Sequence, residues 1–160
     1  MSIHIRKGTA ADIPELLRLI RELAVYERAE HEVSNTPEMM LRDGFGENPV
    51  FGSWVAQYNG HTAGIAIWYY RYSTWKGKRL YLEDIIVTED LRGKGIGKAL
   101  FKKVMETVLQ EGCTGMMWQV LDWNEPAINF YKGFGARFDE EWINCHLEAS
   151  QIQDLIAGTN

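Results

Sequence analysis

Cysteine, proline and long apolar runs are scarce in this sequence. Its 160 residues include two cysteines and four prolines. Cys113 and Cys145 stand alone, without the paired Cys/His spacing of a zinc site, so neither a metal centre nor a disulfide framework is predicted. No apolar run approaches the ~20 residues of a membrane span, and the first residues lack the features of a signal peptide. We expect a cytoplasmic protein with no membrane partner.

Positive charge is also in short supply. Lysine and arginine number 17 against 22 aspartates and glutamates, and the net charge is -5. A nucleic-acid surface needs clustered cations, so no nucleic-acid partner is expected, and the acidity suits a small cationic partner instead. A chain of 160 residues fits one domain, residues 1–160, burying roughly 70% of its unfolded surface.

Hydrophobic periodicity predicts alternating strands and helices. Strands are expected at 3–6, 51–58, 62–72, 78–87, 116–121 and 142–147, the second and third joined by the hairpin signal Asn59-Gly60. Helices are expected from Ala10, from Pro37, from about Ile96 to Gly112, and after Asn124. Thr9 and Asp12 resemble an N-cap and its reciprocal acid at the start of the first helix. This order predicts the α/β class.

A glycine-rich turn, Arg92-Gly93-Lys94-Gly95-Ile96-Gly97, lies between the strand at 78–87 and the following helix. Glycines let backbone N–H groups crowd around an anion, and the helix start adds free donors and a positive dipole end. This pattern predicts a pyrophosphate cradle. A Walker A loop does not fit, because Ala99 stands where Ser or Thr is required. A turn that merely opens a helix is the alternative.

Two carboxylates, Glu83 and Asp84, interrupt the apolar strand before this turn. Side chains alternate along a strand, so the two are expected to face opposite ways. A primary amine with a pKa near 10 is about one part in a thousand neutral at pH 7, which costs around 4 kcal/mol. Glu83 is our candidate for taking that proton, directly or through water. Alternatively it pairs with a basic group or binds the ammonium substrate.

The turn resembles the R/Q-x-x-G-x-G/A signature of the GCN5-related N-acetyltransferases. Over nearly the whole chain the sequence is similar to spermidine/spermine acetyltransferases and to their thialysine-acetylating relatives. The matching segments are Tyr26-Glu27, Asp43-Gly44-Phe45-Gly46-Glu47, Tyr81-Leu82-Glu83-Asp84, the turn itself, Trp123-Asn124-Glu125-Pro126 and Asn129-Phe130-Tyr131-Lys132.

The resemblance implies a twisted, mostly antiparallel sheet flanked by helices and splayed where acetyl-CoA, the co-substrate, enters. It also implies a homodimer. By resemblance the coenzyme A contacts are Ile85, Ile86 and Val87 for the pantetheine arm, Arg92, Gly93, Lys94, Gly95, Ile96, Gly97 and Lys98 for the pyrophosphate, and Asn124, Glu125, Pro126 and Ala127 for the remainder.

The same resemblance implies that Tyr131 is the general acid that protonates the coenzyme A thiolate; a packed helix tyrosine is the alternative. Substrate contacts by resemblance are Tyr26, Glu27, Glu83, Met117, Trp118, Gln119 and Glu141. For Glu27 a solvated charged loop is as good an interpretation. The expected substrate is a polyamine or diamine. Thialysine, a protein amine, and a non-catalytic acyl-CoA sensor are the alternatives.

Overall fold

A five-stranded sheet in the order β1-β2-β3-β4-β5 organises the first part of the chain. The structure is a computed structural model that describes residues 2–158. The strands are β1 (Ile3–Lys7), β2 (Gly52–Tyr58), β3 (His61–Ser73), β4 (Gly77–Val87) and β5 (Met116–Met117). The first four pair antiparallel, and β5 pairs parallel to β4. Asn59 and Gly60 have φ of 50° and 84° and close the predicted hairpin.

The helices are α1 (Ile13–Tyr26), α2 (Pro37–Phe45), α3 (Ile96–Gln110), α4 (Glu125–Lys132) and α5 (Ala149–Ile156). A short 3-10 turn, Ala10–Asp12, leads into α1, and the predicted reciprocal cap between Thr9 and Asp12 is present. The Thr36 hydroxyl accepts from the Met39 N–H and caps α2. The predicted starts of these two helices are confirmed. Both begin there because proline and side-chain acceptors suit a first helical turn.

Helices cover both faces of the sheet. The core between one face and the helices α1 and α2 consists of Ile13, Leu16, Leu17 and Leu19 of α1, Met40 of α2, and the strand residues Val55, Ile65, Ile67 and Ile86. Trp54 precedes Val55 and therefore points to the other face, where its indole N–H donates to Thr107 of α3 at 3.1 Å. A Cβ on Gly64 would lie 2.7 Å from the Ile86 carbonyl oxygen. The bare glycine therefore allows the close approach of β3 and β4.

Two predicted strands differ from the structure. The strand expected at 116–121 is reduced to Met116 and Met117, which pair with Leu80 and Tyr81. No strand forms at 142–147, where Trp142 and Ile143 are 76% and 87% exposed. Aromatic and β-branched residues favour strands only when a neighbouring strand and a packing surface are available, so these predictions were wrong.

Helix α5 was not anticipated. It begins with a reciprocal contact in which the Glu148 N–H donates to the Gln151 side chain at 2.9 Å. The chain divides after Leu121 into two compact units, and α4 and α5 belong to the second. One domain over residues 1–160 stays a prediction. Within residues 2–158, no helix is both long and apolar enough to cross a membrane.

Candidate active site

A β-bulge in β4 shapes the acidic site. Leu82 lies opposite Trp68 and Asp84 lies opposite Ile67, so Glu83 is the extra residue. A bulge breaks the alternation of side chains and often redirects them beside active sites. Glu83 and Asp84 consequently line the same cleft. The expectation that they face opposite ways was wrong, because regular alternation assumes a strand without a bulge.

The cleft has a volume of about 460 Å³ and lies on the face of the sheet that α1 and α2 cover. Its lining residues are Ile20, Asn35, Met40, Val50, Phe51, Ile67, Tyr69, Glu83 and Asp84. Most of this wall is apolar, and the carboxylates interrupt it at β4. Such a combination holds an aliphatic chain that ends in a positive charge.

Burial and like charge act together on Asp84. Desolvation, followed by the charges of Glu83 and Glu27, raises the pKa of Asp84 from 3.8 to about 7. Burial also raises the pKa of Glu27. A cation placed among these three groups would relieve their repulsion, so the site favours an ammonium ligand.

Tyr69 connects the apolar wall to the acidic group. Burial first, then the nearby charge of Glu83, raises the pKa of Tyr69 to about 12. The Tyr69 hydroxyl therefore remains protonated at neutral pH and can act as a donor beside the Glu83 carboxylate.

The end of α1 places Tyr26 and Glu27 on the same side of the sheet. Tyr26 is the last residue of the helix, and the Glu27 N–H donates to the Leu23 carbonyl at 2.9 Å. Arg28 follows with φ of 60° and ends the helix. The structure thus brings the predicted residue Glu27 into electrostatic contact with Asp84.

The glycine turn has the backbone of an anion cradle. Gly93 and Gly95 have φ of 76° and 83°, a left-handed conformation that favours glycine. Apart from the adjoining backbone, no atom lies within 4 Å of the Cβ that either would carry. Gly95 is the N-cap of α3 and has no side chain that could cap that end. The open turn and free helix donors fit a pyrophosphate.

The sheet opens beside this cradle. β5 pairs with Leu80 and Tyr81 and goes no further, whereas β4 continues to Val87. Residues 85–87 pair with β3 on one side, and in the described chain no strand pairs with their other side. Backbone groups along that edge suit the amides of a pantetheine arm. The structure thus shows the splayed sheet that the resemblance implied.

The predicted substrate contacts at 117–119 lie outside the cleft lining. Met117 accepts a contact from the Arg71 guanidinium at 2.8 Å, and the Trp118 ring packs edge-on against Phe101 of α3 at 5.3 Å. Neither Trp118 nor the exposed Gln119 is among the residues that line the cleft. Their proposed contact with substrate stays a prediction.

The second unit carries the remaining predicted residues. Tyr131 lies near the end of α4, is 6% exposed and contacts the Phe130 ring at 5.5 Å. The Ala127 N–H donates to the Asn124 side chain at 3.4 Å, which caps α4. Glu141 is exposed. The roles of these residues also stay predictions.

Of the cleft's lining residues the sequence analysis named only Glu83 as a site residue, and it missed three polar ones: Asn35, Tyr69 and Asp84. Asp84 was visible as a charge in an apolar strand, but the bulge that turns it toward Glu83 has no sequence signal. Tyr69 stood in an aromatic run typical of sheet packing. Within residues 2–158, no group of three or more His, Cys, Asp or Glu side chains is placed to hold a metal ion.

Comparison with known proteins agrees with this geometry. The model of the acetyltransferase (GNAT) family matches residues 14–136, across the boundary between the two units. The chain belongs to the GNAT acetyltransferases. These acyltransferases use acetyl-CoA as co-substrate, and the splayed edge and glycine cradle of this GNAT enzyme fit that molecule.

Among its relatives is the thialysine N-epsilon-acetyltransferase of Mus musculus, 39% identical over 96% of this chain and 97% of the relative. The spermidine/spermine N(1)-acetyltransferase-like protein 1 of Homo sapiens is 40% identical over 95% of this chain and 23% of that protein. An integron cassette protein from the mobile metagenome of V. cholerae has a TM-score of 0.77 and 22% identity, covering 98% of both chains. The last similarity concerns the fold alone.

Proposed function

We propose that this GNAT enzyme transfers the acetyl group of acetyl-CoA to a primary amine of a diamine or polyamine. The observation that carries the proposal is the bulge, which turns Glu83 and Asp84 into one apolar-walled cleft beside Glu27. Three carboxylates in a partly desolvated site attract a substrate with more than one positive charge. The apolar walls suit the methylene chain between those charges.

The carboxylates would also accept the proton that the substrate must lose before it becomes a nucleophile. An ammonium with a pKa near 10 must lose a proton before it attacks, at a cost of around 4 kcal/mol at pH 7. Asp84, with its pKa raised to about 7, is a better proton acceptor than an ordinary carboxylate. Glu83 would receive or relay that proton, with the protonated Tyr69 hydroxyl nearby.

In the proposed reaction the neutral amine attacks the acetyl carbonyl, the C–N bond forms, and the C–S bond breaks. A backbone N–H near Ile85 would stabilise the oxyanion, as fixed donors do in acyl transfer. The amine proton passes to the carboxylates, and Tyr131 would donate a proton to the departing thiolate. No covalent enzyme intermediate is needed.

Acetylation of thialysine is the second candidate, and the names of relatives such as the mouse protein favour it. The cleft favours a different choice. Among the described residues that line it, none is Lys, Arg or His. The carboxylate of an amino acid would therefore lie near Glu83 and Asp84 without a cation beside it, which is unfavourable.

Matched substrate pairs test the choice. Release of free coenzyme A is measured for thialysine and for the diamine that differs only by loss of its carboxylate, and likewise for lysine and cadaverine. Spermidine, spermine and a lysine peptide complete the set. We expect the carboxylate-free member of each pair to have at least about a tenfold higher kcat/KM, equal to about 1.4 kcal/mol.

The other outcomes separate the alternatives. Preference for thialysine over its decarboxylated partner would move the assignment to the amino-acid branch. Turnover of the peptide alone would indicate a protein acetyltransferase. Binding of acetyl-CoA without turnover of any amine would indicate a sensor.

A homodimer is proposed on the family resemblance. The β3–β4 hairpin supports it, since Tyr72 and Trp75 are 74% and 85% exposed there, and large exposed aromatics are enriched at interfaces. Sedimentation that yields the mass of one 18.4 kDa chain would refute this. The cytoplasmic location stays a prediction.

A further inference from the structure

Glu22 makes contacts that the proposed reaction does not use. It lies on α1, one turn before Tyr26, and its side chain is 28% exposed. The Thr88 hydroxyl donates to its two carboxylate oxygens at 2.9 and 3.1 Å. The Glu89 backbone N–H donates to the same carboxylate at 2.9 Å. Glu22 thus joins α1 to the segment that follows β4.

That segment leads directly into the glycine cradle. Thr88 follows Val87, the last residue of β4, and a single 3-10 turn, Glu89–Leu91, separates it from Arg92. The turn is closed by hydrogen bonds from the Leu91 N–H to the Thr88 carbonyl at 3.0 Å and from the Arg92 N–H to the Glu89 carbonyl at 3.2 Å. A shift at Thr88 would therefore move the cradle.

Glu22 acts on this turn as a cap supplied from another element. The first N–H groups of a helical turn lack partners within it, and a carboxylate satisfies them and favours the positive end of the turn. Thr88, the residue in the N-cap position, makes no side-chain cap of its own. Its hydroxyl and the first N–H of the turn both donate to Glu22 instead.

A second contact joins the same two elements. The Arg92 guanidinium lies 5.4 Å from the centre of the Tyr26 ring, within the range of a cation–π interaction. The Arg92 Nε also donates to the Val87 carbonyl at 3.0 Å. The end of α1, which carries Glu27, is therefore fixed to both ends of the turn before the cradle.

We propose that Glu22 is a positioning residue that holds the Thr88–Arg92 turn, and through it the glycine cradle, in the conformation that binds the pyrophosphate of coenzyme A. This inference rests on the proposed function, because it takes the cradle to be the coenzyme site. Glu22 itself does not line the amine cleft. Its effect is expected on coenzyme affinity and not on the choice of amine.

Matched variants of Thr88 test the contact with the least disturbance. Thr88→Val keeps the shape and removes the hydroxyl, whereas Thr88→Ser keeps the hydroxyl. Calorimetry measures the dissociation constant of free coenzyme A. We expect Thr88→Val and Glu22→Gln to raise it about five- to tenfold, as loss of a charge-assisted hydrogen bond allows. Thr88→Ser should remain within about twofold.

Glu15→Gln is the control for charge on α1. Glu15 pairs with Arg18 at 2.6 Å, as Glu22 does at 3.5 Å, but Glu15 does not contact the turn. This variant should leave the dissociation constant unchanged. The double variant Glu22→Gln/Thr88→Val should lose less affinity than the sum of the two single losses, because both substitutions disrupt the Thr88–Glu22 contact while Glu22→Gln alone weakens the contact to the Glu89 N–H.

Steady-state kinetics distinguishes a displaced cradle from a smaller fraction of folded enzyme. Partial unfolding lowers the apparent kcat and leaves KM unchanged, whereas a displaced cradle raises the KM for acetyl-CoA. The inference would be refuted if the unaltered enzyme binds coenzyme A and the dissociation constant is unchanged in both Thr88→Val and Glu22→Gln. That result would leave the proposed function standing. Failure of the unaltered enzyme to bind coenzyme A would overturn both.

Discussion

Replacement of Asp84 by asparagine should stabilise this protein at alkaline pH. The pKa of Asp84 is raised from 3.8 to about 7 by burial and by the charges of Glu83 and Glu27. Between those two pH values the folded state keeps a proton that the unfolded state has lost. The free energy of unfolding of the wild-type protein therefore falls as pH rises through this window and levels off above about pH 7.

The magnitude follows from the same difference. Each pH unit between 3.8 and about 7 costs the folded state about 1.4 kcal/mol, so the full effect has an upper bound of about 4 kcal/mol. Solvent at the open cleft reduces it, and we expect Asp84→Asn to gain roughly 1–3 kcal/mol near pH 8. For a chain of this size each kcal/mol raises Tm by about 2–4 °C.

Calorimetric unfolding from about pH 5 to about pH 8 measures the effect on the free energy of unfolding. The gain of Asp84→Asn over wild type should grow with pH up to about pH 7 and then level off. Asp90→Asn, on the exposed turn after β4, is the control and should show a difference that does not vary with pH. A difference for Asp84→Asn that is independent of pH, or a loss of stability at about pH 8, would refute the placement of Asp84 in a desolvated acidic cluster.

Three further predictions concern the cradle, the second unit and the N-terminal cap. Gly95→Ala and Gly60→Ala both place a side chain at positive φ and should each cost about 1–2 kcal/mol of stability. Calorimetric titration should show weaker coenzyme A binding in Gly95→Ala alone. Equal affinity in both variants would contradict the cradle. Tyr131→Phe should lower kcat about a hundredfold or more with unchanged acetyl-CoA affinity, and rapid-quench turnover at the wild-type rate would remove Tyr131 from the mechanism. Hydrogen bonds from Arg6 lower the pKa of Asp12 to about 2, so the Arg6–Asp12 pair stabilises the fold above about pH 4 and this stability is lost as pH falls toward 2. In urea titrations, Asp12→Asn should reduce the fall in the free energy of unfolding between about pH 4 and 2. An unchanged fall would contradict the pairing.

Local signals in the sequence were sufficient for most of the first unit. Thr9 and Asp12 predicted the start of α1, Asn59-Gly60 the hairpin, and the glycine turn the start of α3, and the structure contains all three features. Each depends on conformational preferences of a few adjacent residues, which do not need the rest of the fold. Family membership followed from the same kind of local pattern.

Strand pairing was harder to predict from the sequence. The predicted strands at 116–121 and 142–147 had suitable residues, but a strand exists only where another strand presents its edge, and that is a property of the tertiary arrangement. The parting of β5 from β4 after Met117 is likewise invisible in sequence. It is this parting that exposes the backbone of residues 85–87.

The sequence by itself determined that a carboxylate pair interrupts an apolar strand and that a glycine turn opens the next helix. Only the tertiary structure decided what these residues face. The bulge at Glu83 directs both carboxylates into one cleft, and the packing of α1 brings Glu27 toward Asp84 and Glu22 onto Thr88. Residue types and spacing fix local conformation, whereas the charge environment of a group depends on which distant residues the fold places around it.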